Sequence, residues 1–78
     1  MRKLVPITAY KIIKIIERIG FENVRIKGSH YFFIHPLSNK STTIPVHSGE
    51  VLGVGMLKQI LRDIDVSTEE YEKLRLNK

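Results

Sequence analysis

Proton transfer at neutral pH is imidazole chemistry, and this 78-residue sequence holds three imidazoles, His30, His35 and His47. They are poor material for a metal site. No two stand at i, i+4 on a helical face, and Glu50 is the one acid near them. His30 and His35 share an extended run and point to opposite sides of it. A zinc centre wants three or four convergent ligands. With no cysteine in the sequence, thiolate ligands, thiol nucleophiles and disulfides are all excluded. The expectation is a site with neither metal nor cofactor.

Nucleophilic triads fare no better. Ser29 adjoins His30, but neighbours on a strand face opposite ways, and no aspartate lies close in sequence to orient the ring. Gly53-Val54-Gly55 precedes a helical run without the lysine and the length of a phosphate loop, and offers at most its backbone N–H groups to a phosphate. RNA cleavage asks for less, because the nucleophile is the substrate's own 2′-hydroxyl. The protein must remove one proton, supply another and stabilise charge on the phosphate, which suits an imidazole flanked by cations. His30 has such flanks: Arg25 and Lys27 precede it, and Lys40 precedes the next extended run. Lys11, Lys14 and Arg18 add a basic stripe at helical spacing, a pattern that surface helices also use merely to stay solvated.

The charge balance points the same way. The net charge is +5, and residues 1–40 hold eight Lys/Arg against two acids, whereas residues 41–78 hold five against six. A basic half on a small domain favours a polyanionic partner, RNA or DNA first. The lack of cysteine in so short a chain fits a reducing compartment. No stretch resembles a signal peptide, and Lys14 interrupts the apolar run Ile12–Ile16, so nothing reads as a membrane span. A single domain over residues 1–78 is expected, cytoplasmic and monomeric when free.

These residues need elements to position them. Thr8 is placed to cap a helix over residues 9–19, with Ala9, Ile12, Ile13, Ile16 and Ile19 on one apolar face and Gly20 as its stop. Three extended runs follow. In Asn23–Lys27, Val24 and Ile26 alternate with Arg25 and Lys27. In Ser29–His35, Tyr31 and Phe33 point one way and His30, Phe32 and Ile34 the other. In Ser41–Val46, Thr42, Ile44 and Val46 share a face. Gly28 and the Pro36-Leu37-Ser38-Asn39 stretch are short connections, which favour an antiparallel meander. A glycine-bearing loop, Gly49 to Gly55, leads to a second helix with Leu57, Ile60, Leu61 and Ile64 inward. Ser67-Thr68-Glu69-Glu70 is a capping box that opens a short terminal helix. The fold class is α+β, in the order α-β-β-β-α. A three-stranded antiparallel sheet carries two helices on one face, with a short C-terminal helix appended. The other sheet face is left open, with an apolar patch of the kind that often marks an interface.

Three blocks resemble the HicA-type, or YcfA-like, toxins: Lys27-Gly28-Ser29-His30 following Ile19-Gly20-Phe21, then Thr43-Ile44-Pro45-Val46-His47, then Gly55-Met56-Leu57-Lys58-Gln59-Ile60-Leu61. They run in one order over nearly the whole chain, with Met56 standing where threonine is usual. The resemblance implies a double-stranded-RNA-binding-domain-like fold. It implies a toxin that cleaves messenger RNA and stops translation, and a HicB-type antitoxin that masks the active site. It places the catalytic histidine on His30 and a second family histidine on His47. The RNA-binding set expected around it is Arg25, Lys27, Gly28, Ser29, Lys40 and His47. The second proton carrier is a lysine, His47 or water. Without the resemblance, the residues support a small RNA- or DNA-binding domain, with nuclease activity left open. A non-catalytic double-stranded-RNA-binding module of the same fold and a degenerate toxin that only binds its antitoxin are the competing readings.

Overall fold

The computed structural model describes residues 4–76; Met1, Arg2, Lys3, Asn77 and Lys78 lie outside it. Thr8 opens the first helix, α1 (Ala9–Arg18), with its side-chain oxygen accepting from the Lys11 amide at 3.4 Å. The helix ends as Gly20 takes a φ of +105°, a left-handed turn that glycine adopts without strain. The buried face of α1 is Ala9, Ile12, Ile15 and Ile16, with Ile13 only half-buried. The face is thus rotated from the sequence expectation, because burial is decided by what packs on the helix, which the local periodicity of α1 does not register.

The strands β1 (Glu22–Lys27), β2 (His30–Ile34) and β3 (Ser41–Pro45) form one antiparallel sheet in the order β1-β2-β3. Two further helices follow, α2 (Val54–Ile64) and α3 (Thr68–Leu76). Gly53 is the N-cap of α2, so the helix starts inside the expected loop and takes in Gly55. The predicted capping box forms at α3: Glu70 N–H donates to Ser67 Oγ at 3.1 Å, and Ser67 N–H donates to Glu70 Oε1 at 3.3 Å.

One hydrophobic core lies between the helices and one face of the sheet. Ile12, Ile16, Phe33, Ile44, Leu57, Ile60 and Tyr71 are its fully covered members. Truncating one of these isoleucines to alanine costs ~2–5 kcal/mol, the lost transfer energy plus the void left behind. Tyr71 plugs the core from α3, and its hydroxyl donates to the Val5 carbonyl at 2.8 Å. Burial pushes the Tyr71 phenol above its ordinary pKa. The arrangement is the expected α+β, double-stranded-RNA-binding-domain-like one, with the second sheet face uncovered. Among the described residues no helix is long and apolar enough to cross a membrane.

The alternation expected in the first strand is broken. Asn23 pairs with Phe33 and Arg25 with Phe32, so Val24 is an extra residue, a β-bulge. Asn23 holds it, its side-chain Nδ2 donating to the carbonyls of Arg25 at 3.1 Å and Phe32 at 3.0 Å. Val24 thereby parts from Ile26 and lies on the open face beside Phe32 and Ile34.

Candidate functional site

The strands β1 and β2 are joined through the two residues Gly28 and Ser29. Gly28 has a φ of +59° and Ser29 a negative one, the pattern of a type II′ hairpin with glycine first. The Ser29 carbonyl accepts from Val46 N–H at 2.7 Å, which ties the hairpin tip to the end of β3. So tight a turn sets Lys27 directly opposite His30, and the register sets Pro45 opposite His30 on the other side. Residues so opposed share a face, with Cβ atoms ~4.5–5.5 Å apart. Lys27, His30 and Pro45 form one row on the open face. Arg25, Phe32 and Thr43 form the next. The Arg25 guanidinium lies over the Phe32 ring, 5.6 Å from its centroid, a cation–π contact that holds the charge above the sheet.

His30 is exposed, and no hydrogen bond fixes its ring among the described residues. It borders an open cavity of about 670 Å³ whose floor is Phe32, Ile34, Thr43 and Pro45 and whose wall is Met56, Gln59 and Asp63 of α2. The wall is braced to the sheet. Thr42 Oγ1 donates to Asp63 Oδ2 at 3.0 Å, and Gln59 Nε2 donates to Asp63 Oδ1 at 3.0 Å. The floor residues were foreshadowed by the alternation in β2. The α2 wall was not, because only tertiary packing brings that helix alongside β3.

The structure brings together Arg25, Lys27, Gly28, Ser29 and His30 and keeps Lys40 apart. Lys40 precedes β3 at the far end of the sheet, beside the Ile34–Ser41 pair, about 13 Å along the strand from the His30–Pro45 pair at ~3.3 Å per residue. Its ammonium bonds the Asp65 carboxylate at 2.8 Å, which holds that carboxyl below its ordinary pKa. Asp65 is the left-handed cap of α2, with a φ of +60°. His47 is exposed beyond the end of β3 and does not line the cavity.

His35 has quite another role. Its Nδ1 accepts from the amides of Leu37 at 3.2 Å and Ser38 at 3.3 Å, so Nε2 carries the hydrogen that faces the Ile19 carbonyl at 3.0 Å. The ring packs edge-on to Phe21 with centroids 5.2 Å apart. It also fills the space beside Gly20, where an added Cβ would come within 2.6 Å of Nε2. Sequence reasoning weighed His35 only as a metal ligand. Among the described residues no group of three or more His, Asp or Glu converges.

An imidazole with a lysine opposite, an arginine one row away and apolar floor beneath can move a proton next to a held phosphate. Residues 9–66 match the family model described as HicA toxin of bacterial toxin–antitoxin, a span that takes in α1, the whole sheet and α2. No curated protein matches the chain.

Proposed function

The chain belongs to the HicA family of toxins from bacterial toxin–antitoxin systems, and from that premise we propose that it is a metal-independent endoribonuclease that cuts messenger RNA and so halts translation. The observation that carries the reading is the Lys27–His30 pair, set opposite each other by the hairpin, with His30 on the border of the open-face cavity. In the reaction the 2′-hydroxyl oxygen attacks the neighbouring phosphorus and the bond from phosphorus to the 5′-oxygen breaks, leaving a cyclic phosphate and a free 5′-hydroxyl. His30 takes the proton from the 2′-hydroxyl or gives one to the departing 5′-oxygen. A lysine, His47 or water carries the other. Lys27 and Arg25 hold the phosphate and stabilise the charge that builds on it, while Gly28 and Ser29 shape the turn that brings the strand's end to the RNA. Lys40, at the far end, meets a more distant part of the strand.

The natural partner is a HicB-type antitoxin, and the protein works in the cytoplasm. The half-buried Phe32 and Ile34, with exposed Val24 and Met56, give such a partner an apolar surface next to His30.

Incubation with labelled single-stranded RNA in EDTA tests the reading. The wild-type protein cuts, and His30→Ala does not while melting as the wild type does. Cutting by His30→Ala at the native rate would sink the assignment. RNA binding without any cleavage would support a non-catalytic RNA-binding module instead.

A further inference from the structure

A second concave surface lies on the other side of the molecule. Lys11, Lys14 and Arg18 project from α1 and Arg75 from α3 into one groove of about 270 Å³, floored by Ile7 and Ile15, and no acid lines it. The sequence shows only the α1 stripe. The fold adds a cation, Arg75, that lies 57 or more residues further along the chain. Both guanidinium groups are held in place: Arg18 Nη1 donates to the Leu74 carbonyl at 3.3 Å, and Arg75 donates to both Glu72 carboxylate oxygens, at 3.2 and 3.0 Å. Glu72 offsets the Arg75 charge. Lys11 and Lys14 are exposed and have no side-chain partner among the described residues. No described carboxylate therefore pairs with their ammonium charges.

We propose that this α1–α3 groove is a second RNA-backbone site, which grips phosphates of the substrate strand away from the bond being cut. The inference rests on the reading of RNA as substrate. The helices cover the sheet face opposite His30, and the molecule measures 34 × 30 × 23 Å, so one RNA reaches both sites by passing around its edge. Unpaired lysines beside pre-oriented guanidiniums suit a polyanion with regularly spaced charge, which trades condensed counterions for protein cations. The groove thus favours long substrates without reading their bases.

Binding is measured in the His30→Ala background, so that no RNA is consumed, as the affinity for a long single-stranded RNA over a range of salt concentrations. Replacing both lysines, Lys11→Gln with Lys14→Gln, is expected to weaken binding about tenfold at low salt and lower the salt slope by about 1.4, roughly 0.7 for each single-strand phosphate that a lysine no longer neutralises. A charge-matched control on α2, Lys58→Gln with Arg62→Gln, is expected to leave the slope unchanged. Equal slopes for the double lysine variant and its parent would overturn the proposal. So would a variant that loses affinity for polyaspartate and keeps it for RNA, since the groove would then be built for an acidic protein. Cleavage by the unmodified protein is scored separately: a chain that grips RNA through the groove but never cuts it defeats the ribonuclease reading alone.

Discussion

The two ends of β2 each offer a histidine and a lysine, and they use them in opposite ways. At the hairpin end, His30 and Lys27 face each other in solvent with no hydrogen bond holding the imidazole among the described residues. At the other end, the His35 ring is pinned through both nitrogens and Lys40 is tied to Asp65. The side chains are the same. What differs is whether the backbone around them already supplies partners. A histidine whose two nitrogens are occupied by Ile19, Leu37 and Ser38 is a structural strut. One left without partners is available to a substrate.

Four measurements sharpen or break this contrast. The largest effect belongs to His30→Ala, expected to lower RNA cleavage by at least about 10²-fold with an unchanged melting temperature. The second is its mirror image: His35→Ala is expected to cost about 2 kcal/mol in denaturant unfolding, from the missing hydrogen bonds and ring packing. Gly20→Ala is expected to cost about 1–3 kcal/mol through its positive φ and the crowding of His35. In a double-mutant cycle the two changes should be less than additive, because His35→Ala removes the atom that Gly20→Ala would strike. Full additivity would mean that the close approach of ring and glycine carries nothing. The third compares the lysines. Lys27→Ala is expected to slow cleavage about 10–100-fold, and Lys40→Ala to slow it less. Equal effects would erase the distinction between the ends.

The smallest effect is a pH dependence. The Asp65 carboxyl is held low chiefly by its hydrogen bond to Lys40, and by that residue's charge. The pair therefore stabilises the fold above the carboxyl's unfolded pKa of about 3.9, and this contribution fades as pH falls through the lower folded value. Melting curves of the wild type and Lys40→Ala should differ slightly at neutral pH and converge in acid. A gap that widened in acid would contradict the ion pair.

Features written in a few consecutive residues were legible in the sequence. The Thr8 cap and the Ser67–Glu70 capping box depend on side chains three residues from the backbone they serve, the Gly28 turn on the lack of a side chain, and all three form. The three strands and the placing of His30 with Phe32 and Ile34 followed from period-2 alternation. The Val24 bulge was not legible, because it is a mismatch between two strands and appears in neither strand's own pattern. The roles of His35 and Lys40 were hidden for the same reason: Ile19 and Asp65 lie 16 and 25 residues away in the chain. Nor could the α1 periodicity decide between Ile13 and Ile15, since both fit an apolar helical stripe and only tertiary packing tells them apart.

The last helix, α3, bears on where the chain can be cut. The family match ends at residue 66, yet Tyr71, five positions further on, is wholly covered and reaches back to Val5. A version trimmed to the matching segment would keep every residue around His30 and leave a hollow the size of a phenol ring behind the sheet. Such a fragment should bind apolar dyes and fall prey to proteases, and any drop in cleavage it showed would say nothing about His30.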